Sequence, residues 1–176
     1  MIMRKNSCNK CVLSQEEVYQ RAADLFEAGH WQEAFKQMKK LARAGYVPAQ
    51  CCLGIMYETG ECTPMNFEKA EEWHRRAAEQ GEAQSQHLLG MIYAEGLVGE
   101  ENPALGAEWY RKAAKQGYAG AQYDLGELYY AGRGVEQDFV QAAVWYEKAA
   151  AQGDSRARDR LTELAEDGLI TGNVVL

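Results

Sequence analysis

The chain is poor in proline and in the long apolar runs that cross membranes. Its 176 residues include 3 Pro and 17 Gly, too few for a long disordered stretch. No segment approaches the ~18 consecutive apolar residues of a transmembrane helix. No apolar run follows the basic pair Arg4 and Lys5, so we expect no secretory leader and a cytoplasmic location. Positive charge is also in deficit, because 19 Lys and Arg face 26 Asp and Glu for a net charge of −7, which disfavours nucleic acid or an anionic membrane as the main partner.

Cysteine is sparse and lacks the spacing of a metal site. The five cysteines are Cys8, Cys11, Cys51, Cys52 and Cys62. Cys8 and Cys11 form a single C-x-x-C pair, whereas a structural zinc site takes four ligands, usually as two pairs. No strand pattern precedes them, as thioredoxin-like chemistry requires. We therefore predict reduced thiols, no metal and no cofactor, and leave the role of the Cys8/Cys11 pair open.

Signatures of catalysis are missing as well. The three histidines, His30, His74 and His87, have no metal-ligand spacing. Ser7 and Lys10 match S-x-x-K without the accompanying β-lactamase motifs, and no glycine loop has the phosphate-binding context of a strand before it and a helix after it. We predict no catalytic residue, and a packing role for His74.

What the chain does contain is an internal period of 36 residues. The recurring positions are Gly54, Gly90 and Gly126; Gly60, Gly96 and Gly132; Trp73, Trp109 and Trp145; and Gly45, Gly81, Gly117 and Gly153. A period of this length indicates stacked structural repeats.

Each unit is predicted to form two helices. The first covers roughly residues 47–59, where Ala49, Leu53 and Tyr57 share one helix face. Gly54 inside this helix indicates a close helix–helix approach, with Trp73 packing nearby. The predicted helix ends are Gly60, Gly96 and Gly132, and the predicted N-caps of the second helices are Asn66, Asn102 and Asp138.

The period divides the chain into units and flanking segments. The predicted segments are an N-terminal tail at 1–14, a divergent first unit at 15–46, full units at 47–81, 82–117 and 118–153, a capping helix at 154–168 and a tail at 169–176. The first unit has a loop about five residues shorter than the others. The capping helix carries Ala157, Leu161 and Leu164 beside the polar outer surface that a terminal cap needs. The predicted fold class is all-α.

The unit pattern Ala-x3-Leu-Gly-x2-Tyr-x2-Gly, a loop, then Ala-x2-Trp-Tyr-x-Lys-Ala-Ala-x-Gln-Gly resembles the Sel1-like repeat family of the tetratricopeptide-like superfamily. The resemblance covers about residues 47–168, and residues 15–46 are closer to an ordinary tetratricopeptide repeat. It implies a right-handed α-solenoid of antiparallel helix pairs that binds other proteins as an adaptor or scaffold, as in bacterial signalling, envelope and host-interaction proteins.

Two loops depart from the family pattern, at 99–103 and 62–64. The cysteine-rich secreted branch of the family carries a disulfide in each repeat, and this chain has no such pairing. A small hydrolase of that branch stays an alternative, which would require turnover of a β-lactam that is lost on replacing Ser7.

Positions that vary between units predict the binding surface. On the first helix of each unit the recurring positions occupy one arc, and the varying positions, Cys51 and Ala94 among them, lie opposite. In tetratricopeptide-like solenoids this free face lines the concave groove. The candidate partner-binding residues are Ile55, Glu58, His87, Leu88, Met91, Tyr123, Asp124, Glu127 and Tyr130. Their apolar members are the expected anchors, and their acids favour a partner segment with Lys or Arg.

A drifting solvated face is the plain alternative, although such a face should carry fewer Leu, Met, Ile and Tyr. We predict a non-enzymatic interaction module whose partner is a protein or peptide, with self-association open and no membrane insertion. An RNA-binding helical repeat is a further alternative. Residues 47–153 hold 8 basic and 16 acidic side chains, which argues against a phosphate-binding groove.

Overall fold

The computed structural model describes residues 13–170, and these residues form nine α-helices and no strand. The helices are α1 (Gln15–Glu27), α2 (Trp31–Arg43), α3 (Val47–Thr59), α4 (Phe67–Glu79), α5 (Ala83–Ala94), α6 (Pro103–Lys115), α7 (Ala119–Ala131), α8 (Phe139–Ala150) and α9 (Ser155–Glu166). The predicted all-α class is confirmed.

Short polar side chains begin the second helix of each full unit. The side-chain oxygens of Asn66, Asn102 and Asp138 accept backbone N–H groups in the first turns of α4, α6 and α8. Each N-cap therefore satisfies a donor that a helix start leaves without a partner. The three predicted caps are confirmed.

Glycine ends the first helices by adopting a left-handed backbone. The φ values are +74° at Gly60, +62° at Gly96 and +67° at Gly132. This left-handed conformation is strained for a residue with a Cβ atom and is unstrained for glycine. α3 and α7 end at their glycine, whereas α5 ends one residue earlier because Glu95 is its C-cap.

Short loops join the helices into pairs. The loop between α1 and α2 is 28–30, whereas α3 and α4 are joined by 60–66 and α5 and α6 by 95–102. The loop of the first unit is therefore four to five residues shorter, in agreement with the sequence prediction. Connections of this length place successive helices antiparallel. Each helix packs chiefly on the helix before it and the helix after it, which makes the described chain a one-dimensional stack.

The hydrophobic core runs along this stack as three neighbouring clusters. One leucine position, Leu53, Leu89, Leu125 and Leu161, is at most 2% exposed in every case. The 36-residue period therefore continues into α9, where Ala157 and Leu164 are also buried. The polar capping helix predicted from the sequence uses its apolar side to close the core.

In each full unit, a ring of the second helix lies over the glycine within the first helix. An added Cβ at Gly90 would lie 2.5 Å from Cδ1 of Tyr110, and one at Gly126 would lie 2.5 Å from Cε1 of Tyr146. In the first full unit His74 takes this place over Gly54 and is 0% exposed. Trp73, which the sequence placed nearby, is the residue before His74 and is buried in the same core cluster as Leu53 and Tyr57. The predicted close approach at Gly54 is confirmed, and the ring in contact with the glycine is that of His74.

Buried glutamines tie successive units together. The Nε2 of Gln86 donates to the carbonyl of Ala78 at 3.0 Å, and the Nε2 of Gln116 donates to Oε1 of Gln86 at 2.8 Å. The same two bonds recur one unit earlier and one unit later, through Gln50 and Gln80 and through Gln122 and Gln152. A buried amide with its donors and acceptors satisfied stabilises one packing arrangement.

The predicted tails fall largely outside the described part of the chain. Ser7, Cys8, Lys10 and Cys11 lie outside it, as do residues 171–176. Of the C-terminal tail, Ile170 packs against the cluster formed by α8 and α9.

Candidate interaction face

The nine candidate residues lie on the first helices of the three full units, and we call them the interaction stripe. Ile55 and Glu58 belong to α3, the next three to α5 and the last four to α7. All nine are partly exposed. Two other varying positions, Cys51 and Ala94, are only 6% and 1% exposed, so the free face is narrower than the sequence comparison predicted.

His87 connects α5 to the following unit. Its Nε2 lies 2.6 Å from Oδ2 of Asp124 on α7. Its ring lies between Tyr110 and Tyr118, with centroid distances of 5.5 Å and 5.1 Å. These contacts are intramolecular packing, which restrains the ring and the carboxylate that the sequence offered to a partner.

Glu127 is held by the capping helix. Arg160 of α9 donates from Nε and Nη2 to its two carboxylate oxygens, both at 2.8 Å, and the hydroxyl of Tyr146 donates to Oε1 at 2.7 Å. The hydrogen bonds that Arg160 donates to Glu127 and Glu163 raise the pKa of its guanidinium above the ordinary value. The bidentate geometry is the strongest form of this ion pair. Arg160 therefore occupies much of the hydrogen-bonding capacity that Glu127 could offer to a partner.

The tyrosines at this end of the stripe also have partners within the chain. Tyr123 lies 5.8 Å from the ring of Tyr146, and the guanidinium of Arg156 is 4.2 Å from its centroid. Tyr130 contacts Phe139 at 5.5 Å and Arg160 at 5.2 Å. The C-terminal end of the stripe is therefore a set of aromatic and cationic contacts rather than an open groove.

In the first full unit, Glu58 faces a fully buried histidine. Its Oε2 lies 3.5 Å from Nε2 of His74. Neither ring nitrogen of His74 forms a hydrogen bond within the described residues. The packing role predicted for His74 agrees with its position between α3 and α4.

A groove between α1 and α3 lies at the N-terminal end of the interaction stripe, where Ile55 is one of its lining residues. We call it the apolar groove. Its volume is about 270 Å³. The lining side chains are Tyr19, Ala23, Phe26, Met38, Cys52, Ile55 and Met56, with Glu27 and Glu61 beside them. An apolar concavity with a few polar groups at its edge is the usual form of a site for a ligand side chain.

The thiols near this groove are poor nucleophiles. Burial raises the pKa of Cys51 to about 12 and also raises the pKa of Cys52. The thiolate is the reactive form of cysteine, so both side chains stay protonated near neutral pH. Cys52 instead contacts the hydroxyl of Tyr19 across a sulfur–oxygen distance of 3.1 Å.

Within residues 13–170, no group of three or more His, Cys, Asp or Glu is placed to hold a metal ion. The same residues contain no helix long and apolar enough to span a membrane.

Sequence comparison missed the part of the groove that the divergent first unit supplies. Tyr19, Ala23 and Phe26 come from α1 and Met38 from α2, outside the units whose differences defined the stripe. The available signal was the segment 22–29, which repeats the apolar spacing of the later first helices. Its different loop length obscured the alignment of individual positions.

Known proteins share this architecture. The Sel1 repeat model matches residues 47–82, 83–118 and 119–154. The structure of c5321, a protective antigen of uropathogenic Escherichia coli with an SLR fold, is 31% identical and has a TM-score of 0.79 over 89% of this chain. A Sel1 repeat protein from Oxalobacter formigenes is 29% identical, with a TM-score of 0.80 over 88% of this chain. Cysteine rich protein B of Helicobacter pylori is 26% identical, with a TM-score of 0.57 over 71%.

This chain spans 37%, 65% and 95% of the lengths of those three proteins, respectively. No curated protein matches it by sequence. Because three consecutive Sel1 repeats cover more than half of its residues, the chain belongs to the Sel1 repeat family.

Proposed function

We propose that this chain is a non-enzymatic interaction module that binds a peptide segment of a partner protein on the first-helix face, with the apolar groove at Ile55 as its anchor. Sel1 repeat proteins generally mediate protein–protein interaction. The observation that carries the proposal for this chain is the open apolar groove at one end of the interaction stripe.

The size of the groove favours one or two side chains of an extended or helical peptide. Its volume of about 270 Å³ lies just below the ~300–1,000 Å³ of pockets that hold whole small molecules. Phe26, Met38 and Met56 offer aromatic and flexible thioether surface, which adapts to apolar side chains of different shape. A Leu, Met or Phe of the partner is the expected anchor.

Negative charge at the edge of the apolar groove favours particular residues beside the anchor side chain of the partner peptide. Glu27 and Glu61 border the groove and form no ion pair within the described residues. Both residues are exposed. Carboxylates beside an apolar site favour a partner with Lys or Arg next to its anchor and disfavour acidic segments. Leu88 and Met91 on α5 extend the same face toward the next unit and remain candidate contacts.

Selection from a random peptide library displayed on phage tests this proposal. Peptides retained by the wild-type protein should share an apolar residue with Lys or Arg close to it. Ile55→Arg places a long cation into the groove wall, so it should weaken the selected peptides by about tenfold or more in Kd, measured by isothermal titration calorimetry.

Val140→Arg is the matched control, because it also adds a positive charge at an apolar surface position but lies on α8, where Val140 is 62% exposed. It should leave the affinity unchanged. Peptides without a common motif, or equal loss of affinity in both variants, would contradict binding at the groove. Circular dichroism of each variant separates loss of binding from loss of folding.

A further inference from the structure

A second groove lies on another side of the stack, between the second helices α2 and α4. Its volume is about 390 Å³. Tyr57 and Trp73 contribute aromatic surface to it, and both are nearly buried, at 4% and 6% exposed. The other lining residues are Lys39, Arg43, Lys69, Glu72 and Arg76. Four cations and one carboxylate therefore meet in one place on a chain whose net charge is −7.

Most of this positive charge has no counter-charge within the described residues. Arg76 is paired with Glu72 at 2.6 Å. Lys39, Arg43 and Lys69 form no ion pair there. The ammonium of Lys69 instead lies 5.2 Å from the ring centroid of Tyr57. Three cations around a partly enclosed groove repel one another, and a bound anion would relieve that repulsion.

The corresponding positions one unit later show that the packing of the helices does not require all of these charges. Thirty-six residues on, Glu79 stands in place of Arg43 and Leu105 in place of Lys69. Two cations remain. Arg75 is paired with Glu71 and donates to the hydroxyl of Tyr93 at 2.8 Å, and the ammonium of Lys112 lies 3.5 Å from the ring centroid of Trp109. The first groove has Phe35 at the position of Glu71, so Lys39, which corresponds to Arg75, has no equivalent carboxylate beside it.

We propose that the groove between α2 and α4 is a second binding site, which takes a short acidic segment of a protein partner. Carboxylates of the segment pair with Lys39, Arg43 and Lys69, and Trp73 and Tyr57 provide apolar surface for its side-chain methylenes. This site is independent of the apolar groove, since the two differ in charge and lie on different helix faces.

Charge around the groove favours a short peptide over a nucleic acid. α4 also carries Glu68, Glu71 and Glu79, and the loop before it carries Glu61. A long polyanion that tracked across the groove would meet these carboxylates. A short segment with a few closely spaced Asp or Glu residues contacts the cations of the groove without reaching these carboxylates.

Fluorescence anisotropy with a fluorescein-labelled peptide of alternating Glu and Ser tests the site on the full chain. The wild-type protein should bind it, and added salt should weaken the binding. Lys39→Glu with Lys69→Glu should raise its Kd about tenfold or more, because two attractive contacts become repulsive. Lys39→Gln with Lys69→Gln should give a smaller increase and serves as the second variant if charge reversal impairs folding.

Lys115→Glu with Arg158→Glu is the matched control, since it changes net charge equally at two exposed positions outside the groove. This control should alter the Kd for the acidic peptide by less than about twofold. Ile55→Arg, which changes the apolar groove, should leave the same Kd unchanged, so the two proposed sites can be tested separately. The proposal is overturned by no binding to the wild type, by equal loss in the control, or by equal binding of a Lys-Ser peptide. Stronger competition by inorganic phosphate or by a single-stranded oligonucleotide than by unlabelled peptide also overturns it.

Discussion

At the scale of single residues, glycine sets how closely the two helices of a unit approach. Gly54, Gly90 and Gly126 present bare backbone to a ring of the partner helix. Each glycine costs its helix about 1 kcal/mol relative to Ala in intrinsic propensity. That cost recurs in all three full units because any side chain at these positions would displace the ring.

Gly90→Ala tests this balance. The new Cβ would lie 2.5 Å from Tyr110, so helices α5 and α6 must separate or the ring must leave its position. We expect the free energy of unfolding to fall by about 1–3 kcal/mol, measured by urea denaturation, although the same substitution on an exposed helix face would raise it.

Gly120→Ala on α7 is the comparison variant. Its nearest neighbours are side-chain atoms, at 3.2 Å in Tyr118 and 3.3 Å in His87, so a small adjustment accommodates it. We expect a smaller effect than for Gly90→Ala. Equal stability of Gly90→Ala and the wild type would show that the close approach is not needed.

At the scale of the helix, neighbouring aromatic residues have different roles. On α6, Tyr110 is 5% exposed and covers Gly90. Trp109 is partly exposed, and the ammonium of Lys112 lies 3.5 Å from its ring centroid. A recurring tryptophan in the sequence predicts a core position, but in the central unit the adjacent tyrosine is the more buried residue.

Alanine substitutions separate these two roles. Tyr110→Ala should destabilise the fold by about 3–5 kcal/mol, the range for removal of a buried aromatic side chain. Trp109→Ala should cost at least about 1 kcal/mol less, because its ring is already partly exposed to water and in contact with Lys112. Thermal unfolding followed by circular dichroism measures both variants, and a larger loss for Trp109→Ala would contradict the packing described here.

At the scale of the whole molecule, stability passes along the stack from neighbour to neighbour. Each helix of the described chain contacts chiefly the helix before it and the helix after it, so the two ends of the stack support each other only through the helices between them. In such a stack, a destabilising substitution at one end should unfold the adjacent helices and leave distant helices folded.

Leu161→Asp tests this propagation. Leu161 is 2% exposed in the interface between α8 and α9, and a carboxylate there should release the capping helix. Hydrogen exchange followed by mass spectrometry should show loss of protection in α7, α8 and α9, with α1 to α4 protected as in the wild type. Uniform loss along the chain would indicate a single cooperative unit instead.

The pattern of the chain was sufficient to predict most of the fold. Helix bounds, N-caps and left-handed glycines follow from interactions between residues close in sequence, so Asn66 and Gly60 could be assigned without knowledge of the neighbours in space. The period of 36 residues added the stacking, because repeated apolar faces must pack on one another to leave water.

The candidate site was less predictable, because contacts across units decide which side chains remain free. Asp124 meets His87 and Glu127 meets Arg160 over separations of 37 and 33 residues. Variation between units marks a face that lies mostly outside the common core, although Cys51 and Ala94 on it are buried. Variation also cannot distinguish a side chain open to a partner from one paired with the next helix. The sequence by itself thus determined the repeat, its helices and its family. Only the tertiary structure located the two grooves, because each lies between helices of different units and depends on the charges and shapes that their stacking brings together.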